Sequence, residues 1–331
     1  MRERLNVGFL GVGNLVSKQH LPNAAKCPWL RVHTLCDLNA DALDKHASRY
    51  RPERAGRDYH TMLADPAVDL VVIALSPDQH APLTIESLRA GKHVYVEKPL
   101  SEDIPASLEV ARVCRETRKH LAVGFNRRFA PSYVDAFEIV TRDVGPLLIT
   151  YRMVDDFRDR PAHWKGRSRL LDEACHAFDV MNWFARSTPK RVFASGVGRP
   201  DDHHVVVEYG NGVSASLCLS SFGAFHWPKE RLEIVGDNHV VAVEDFVELQ
   251  TAGVPGVSDK RYPGLEYEGF TRGYARLYAE LGLPFYRAMR SNMADLLLGS
   301  GLIEKYPDRE KWSLVAEHFP EHLRIPINYS C

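Results

Sequence analysis

The chain has 331 residues, 45% apolar and 26% charged, with 42 basic against 43 acidic side chains. This length exceeds what one hydrophobic core usually serves, so two domains are expected. A formal charge of -1 offers no field to draw the chain onto nucleic acid or an anionic membrane, which leaves a small-molecule partner as the expectation.

The start, "MRERLNVGFLGVG", passes straight into a strand without the apolar stretch of a signal peptide. "LRVHTLCD" is a second strand, after a helical stretch from Asn14 that Pro22 is expected to interrupt. "NADALDKHASRY" has helical spacing with Asn39 as its cap. "DLVVIALS" is the continuous apolar run of a strand covered on both faces, and it falls far short of the ~18 residues of a membrane span. A helix "APLTIESLRAG" ending at Gly91, the strand "KHVYVEKPL", a helix from about Ser101 to Arg118 and the strand "HLAVGFN" complete residues 1–125. Strict alternation of strand and helix predicts a Rossmann-type, doubly wound parallel sheet.

Residues 126–331 follow another pattern. "LLITYRMV", "KRVFASGV", "HHVVVEYG", "VSASLCLS", "RLEIVG", "HVVAVE" and "FVELQTA" are short strands broken by turn residues such as Asn211-Gly212 and Gly236-Asp237-Asn238. They predict an α+β domain with a large, mostly antiparallel sheet, and "LLDEACHAFDVMNWFAR" is one helical block among them. Two joined domains are expected to bind a ligand at their seam. Cys27, Cys36, Cys114, Cys175, Cys218 and Cys331 show no C-x-x-C pair, which reads as a reduced, cytoplasmic thiol set.

In "GFLGVGNLV", Gly11 permits a tight turn after the first strand and Gly13 lets a pyrophosphate approach the start of a helix. The turn from Gly11 through Val12, Gly13, Asn14 and Leu15 is the candidate cradle. Val16 replaces the third glycine of the fingerprint, so the turn alone is a weak signal. Asp37 ends the second strand about 20 residues on, where a carboxylate binds a ribose diol. Leu38 follows it and offers no cation for a 2′-phosphate, which favours NAD over NADP.

Within the helical block, Asp172 and His176 lie four apart, where a helix would place them on one face, with Asp179 three further on. An imidazole of pKa about 6.5 suits proton transfer near neutrality. The same spacing also serves an ordinary helix-face hydrogen bond. "RDRPAHWKGRSR" gathers Arg158, Arg160, Lys165, Arg167 and Arg169, either as a solvated basic loop or as a site for an anionic group on a substrate. "HFPEH", His318 to His322, matches an inverted zinc-protease pattern, but Pro320 disrupts the turn that would align its histidines. No metal site is expected.

"EKP" after "KHVYV", the segment "GFNRRF" and "LLDEACHAFDVMNWF" together resemble the glucose–fructose oxidoreductase / inositol dehydrogenase / rhizopine-catabolism family over about residues 5–250. The resemblance implies hydride chemistry on a sugar or cyclitol and a homo-oligomer, dimer or tetramer, formed through the open sheet. It places the family's lysine on Lys98, its acid on Asp172 and its histidine on His176. It also implies that Ser76, His80, Glu97, Lys98 and Asn126 line the cofactor, and that the bond before Pro99 is cis. Arg127, Arg128, Arg152 and Trp164 are weaker candidates for substrate contact, against structural salt bridging and packing. The sequence departs from the family where only Gly166 remains of a glycine cluster. Some members carry Gly-Glu at the positions of Asp172 and Glu173, and the tail after about Tyr262 has no counterpart.

On this reading His176 takes a hydroxyl proton, Lys98 stabilises the developing oxyanion and Asp172 orients His176 or binds a neighbouring hydroxyl. The alternative gives the proton to Lys98. Two other functions fit the same fold: oxidation followed by elimination on a tightly held, recycled NAD, or an NAD-binding sensor without catalysis. The three reactive residues together argue against the sensor.

Overall fold

The computed structural model describes residues 4–142, 145–154, 168–199, 201–223 and 227–262. The chain divides between Phe125 and Asn126 into two compact units.

In the first unit the strands are β1 (Leu5–Leu10), β2 (Leu30–Cys36), β3 (Arg54–Gly56), β4 (Leu70–Ile73), β5 (His93–Val96) and β6 (Leu121–Val123). They form a parallel sheet in the order β3-β2-β1-β4-β5-β6. The order reverses between β1 and β4, so the loops leaving their carboxyl ends diverge there and open the crevice in which such sheets bind nucleotides. β1 is buried on both faces: Val7 and Phe9 pack with Leu21, Leu35 and Val72, while Leu10 packs with Ile73, Leu88 and Val96.

The helices are α1 (Leu21–Lys26), α2 (Ala40–Tyr50), α3 (Tyr59–Ala64), α4 (Pro77–Arg89) and α5 (Ile104–Thr117). Asn39 caps α2 by accepting from the Ala42 amide at 3.1 Å, as its sequence position predicts. Pro22 does not interrupt the first helix. A π-type turn, Val16–His20, precedes it, and the Leu21 amide reaches back five residues to the Val16 carbonyl, so the wider winding accommodates the proline. α4 starts one turn earlier than its apolar pattern suggests, with Ser76 as its N-cap residue and Pro77 in its first turn, where a missing N–H costs nothing.

In the second unit α6 (Pro131–Val140), α7 (Arg169–Asp172) and α8 (Ala174–Ala185) accompany β7 (Leu148–Val154), β8 (Pro189–Gly196), β9 (His203–Tyr209), β10 (Ser214–Ser220), β11 (Glu230–Val235), β12 (Val240–Glu244), β13 (Glu248–Ala252) and β14 (Lys260–Arg261). The sheet order is β14-β13-β12-β11-β7-β10-β9-β8, antiparallel except where β7 and β10 pair in parallel. Alternate residues of β7, β9, β10 and β11, among them Ile149, Val205, Leu217 and Leu232, point into a core closed by Tyr133 and Ala136 of α6 and Val180, Met181 and Phe184 of α8. Phe137 and Trp183 stack at 4.1 Å between ring centroids, joining α6 to α8. The edge strand β8 is exposed along its whole length, including Val192 and Phe193.

Candidate active site

In the first unit the turn after β1 meets the requirements of a dinucleotide cradle. Gly11 has φ +88°, and a Cβ there would lie 2.7 Å from the Ala74 carbonyl oxygen, so only glycine fits beside β4. A Cβ on Gly13 would meet nothing within 4 Å, which leaves the open approach that a pyrophosphate needs. Val12 is buried beneath the turn, Gly13 and Asn14 are exposed and Leu15 is half-buried. Asp37 is half-buried: its Oδ2 accepts from the Val12 amide at 2.7 Å and its Oδ1 from the Asn39 amide at 2.8 Å. A carboxylate has about four acceptor positions, so Asp37 can brace the turn and still receive a ribose hydroxyl. Ser76 is exposed at the head of α4, after β4.

Lys98 follows the end of β5, its peptide bond to Pro99 is cis, and the residue is only 6% exposed. Its neighbours are arranged around Glu97. The Glu97 Oε1 lies 2.9 Å from His20 Nε2 and accepts from the Tyr95 hydroxyl at 3.3 Å, while Oε2 accepts from the Lys98 amide at 3.2 Å. Burial pushes the Glu97 carboxyl upward, but His20 and Lys98 together outweigh it and hold it below the ordinary carboxylate value. A Cβ at Gly124 would stand 2.9 Å from both Glu97 Oε1 and the Tyr95 hydroxyl, so the bare glycine of "GFNRRF" makes room for this cluster.

His80 is held within the first unit. It is 1% exposed, with Nδ1 2.7 Å from the Pro99 carbonyl and Nε2 3.1 Å from the Leu75 carbonyl. Its ring therefore ties the loop after β4 to the residue following Lys98.

In the second unit the "LLDEACHAFDVMNWF" block is two helices, not one. Glu173, at φ -110°, closes α7 through its amide to the Arg169 carbonyl at 2.9 Å and opens α8. The His176 amide bonds the Glu173 carbonyl at 3.1 Å, three residues back, so the regular i, i+4 ladder of backbone bonds is interrupted between Asp172 and His176. Asp172 ends α7 and His176 occupies the first turn of α8, and both are buried. Asp179 belongs elsewhere, in a two-pronged pair with Arg128 at 2.6 and 2.5 Å.

Arg127 is likewise committed. It sits in the 3-10 turn Asn126–Phe129, and its guanidinium grips Glu230 at 2.9 and 2.5 Å. Glu230 also accepts from the Tyr151 hydroxyl at 2.6 Å, and Tyr151 contacts the Tyr133 hydroxyl at 3.0 Å. Burial opposes both charges of the pair, yet each partner's field prevails, with Arg127 held above and Glu230 below its ordinary value. A guanidinium so engaged fills the role of structural salt bridging, the alternative to substrate contact. Asn126 is exposed at the start of the same turn. Arg152, partly buried on β7, lies 3.7 Å from Glu244 and over the Trp227 ring at 5.3 Å; burial, only partly offset by Glu244, lowers its pKa.

Arg169 is 2% exposed rather than solvated; its Nη1 donates to the Ser220 carbonyl at 2.9 Å. Trp164, Arg158, Arg160, Lys165, Arg167, Gly166, Cys331, "HFPEH" and the tail after Tyr262 lie outside the described residues. Among the described residues no histidine, cysteine and carboxylate cluster could hold a metal, and no helix is long and apolar enough to cross a membrane. The sequence singles out Glu173 only as the neighbour of Asp172 and does not flag Lys229 and Glu230 as buried beside it; two adjacent charges entering a strand, "KE" before "RLEIV", were the available signal.

Two family models match: the oxidoreductase family with an NAD-binding Rossmann fold over residues 5–125, and the GFO/IDH/MocA C-terminal domain over residues 146–242. An uncharacterized oxidoreductase of Bacillus subtilis is 26% identical over 88% of each chain. A myo-inositol 2-dehydrogenase of Thermotoga maritima is 26% identical over 70% of this chain and 73% of its own. The structure of a scyllo-inositol dehydrogenase from Lactobacillus casei with bound NAD(H) and scyllo-inositol superposes with a TM-score of 0.65 at 24% identity, over 72% of this chain and 76% of that one.

Proposed function

The chain belongs to the glucose–fructose oxidoreductase / inositol dehydrogenase family, whose first domain is an NAD-binding Rossmann fold, and from that premise we propose that it interconverts a secondary alcohol and a ketone on a sugar, sugar derivative or cyclitol. NAD, when bound, supplies the hydride acceptor. The turn Gly11–Leu15 and Asp37 would hold it, with Ser76 and Asn126 as further contacts; the fit rests on the open space beyond Gly13 and the spare acceptor capacity of Asp37.

The roles follow from chemistry. His176 accepts the hydroxyl proton. Lys98, as an ammonium, stabilises the negative charge growing on that oxygen, an interaction worth most where water is excluded. Asp172 orients the imidazole or binds a neighbouring hydroxyl from the end of α7, and Arg152 is the remaining candidate for a substrate hydroxyl. A homo-oligomer, dimer or tetramer, formed through the second unit's sheet accords with the exposed Val192 and Phe193, and light scattering measures it.

The observation that carries this reading is the presence in one chain of a nucleotide turn that only glycine can make and of Lys98, Asp172 and His176, each withdrawn from solvent. The test is a panel of cyclitols and sugars with NAD and with NADP, followed at the nicotinamide absorbance. Turnover of at least one polyol, with NAD preferred, is expected. Absence of turnover together with NAD released on denaturing the purified protein would replace this reading with the recycled-cofactor chemistry.

A further inference from the structure

Glu173 takes no part in the proposed reaction, yet it is 1% exposed and carries a carboxylate. Its Oε2 faces cations from three elements: Lys229 just before β11 at 2.9 Å, Arg127 of the 3-10 turn at 3.6 Å and Arg169 of α7 at 3.8 Å. Both arginines are anchored in turn. Arg127 grips Glu230, while Arg169 donates to the Ser220 carbonyl at the end of β10 and, through its amide, to Asp201 at 2.8 Å. The backbone of Glu173 is the junction of α7 and α8, with Asp172 as its neighbour and the His176 amide bonded to its carbonyl.

The geometry points to Glu173 as the positioning residue of the site. Its side chain ties the α7–α8 junction to two further elements, the 3-10 turn through Arg127 and the segment entering β11 through Lys229, while Arg169 braces it within α7, and so it sets where Asp172 and His176 present their side chains. An uncharged residue could fill the same space, but the three cations require an anion between them. Here Asp172 serves the reaction and Glu173 stands behind it. This inference rests on the proposed function for its kinetic readout, because a displacement of about 1 Å at reacting groups costs on the order of 10²-fold in rate.

The test is Glu173→Gln, which keeps the shape and removes the charge. Turnover of the reactive polyol is expected to fall by about 10- to 100-fold, with KM changed far less and NAD affinity, read by fluorescence, unchanged. Adding Lys229→Gln removes a cation along with the anion and should recover part of the loss. If Glu173→Gln does not fold, Lys229→Gln alone is expected to fold and turn over several-fold more slowly; unchanged turnover in either single variant overturns the inference. The histidine ring resonances, carbon-13 labelled and assigned with His176→Gln, supply a readout independent of activity. A His176 signal that moves or broadens in Glu173→Gln supports the positioning role, and an unmoved one overturns it. If the parent protein turns over no polyol, the proposed reaction fails while this spectrum still decides the role of Glu173.

Discussion

The lysine turn of the first unit and the α7–α8 junction of the second are both buried supports for reactive side chains, but they are held by different means. Around Lys98 the ties are mostly neutral or local: a histidine ring against two carbonyls, a glycine that gives way to a carboxylate, and Glu97 paired with His20. Around Asp172 and His176 they are full charges balanced against each other, with Arg127 and Lys229 from distant elements and Arg169 from α7 itself facing Glu173 and Glu230. A carbonyl that loses its donor costs about 1–3 kcal/mol. Removing one partner of a buried ion pair costs about 3–5 kcal/mol, because the other is left as an uncompensated charge. The first arrangement tolerates change; the second does not.

The comparison can be broken most directly at the reacting groups. Lys98→Ala and His176→Ala are each expected to lower turnover by about 10²- to 10⁴-fold while NAD affinity stays within a few-fold of the parent. Near-normal turnover in either variant removes that residue from the reaction. A larger loss in His176→Ala would favour histidine as the proton acceptor.

Next in size is Glu230→Gln, expected to destabilise the protein by about 3–5 kcal/mol in denaturant unfolding at neutral pH, since Arg127 loses its counter-ion. Burial raises the Glu230 carboxyl's pKa, and Arg127 more than reverses this, leaving it depressed. The stabilisation it brings is therefore complete above the unfolded carboxyl's value of about 4.3 and is lost as pH falls through the lower folded value. The difference between Glu230→Gln and the parent should shrink on acidification below that point. A gap that stays constant with pH would mean that shape, not charge, accounts for the loss.

The smallest effect belongs to the neutral support. His80→Ala removes the ring that bridges the Leu75 and Pro99 carbonyls, one of which loses its donor, and a stability loss of about 1–3 kcal/mol is expected, together with slower turnover. A loss as large as that of Glu230→Gln would erase the distinction drawn between the two supports.

Sequence patterning made the alternation of the first unit legible because each of its central strands is buried on both faces and reads as an unbroken apolar run, as in Val71, Val72 and Ile73. β3 and α3 escaped notice: a three-residue edge strand pairs on one side only, and the one marker of α3 is the Asp58 cap at 2.9 Å from the His60 amide. α6 was concealed behind Pro131, although Tyr133, Ala136 and Val140 have helical spacing. Lys98, Asp172 and His176 could be named as candidates from motif alone. Their supports could not, because Glu173 meets Lys229 and Arg127 only after the sheet has brought together residues far apart in the chain. The helix break at Glu173 was equally hidden, since nothing in "LLDEACHAF" marks it.

The parallel seam between β7 and β10 governs the order in which the second unit can be assembled. Leu148 has no partner across that seam until Ser214 has been synthesised, by which time α8 and the β8–β9 hairpin have already emerged. β8, β9 and β10 can zip together as a local meander, whereas β7 must wait for that meander to dock, so closure is a late, long-range event. During synthesis the first unit, whose strands need nothing beyond Val123, is free to finish while the second still lacks its central pairing.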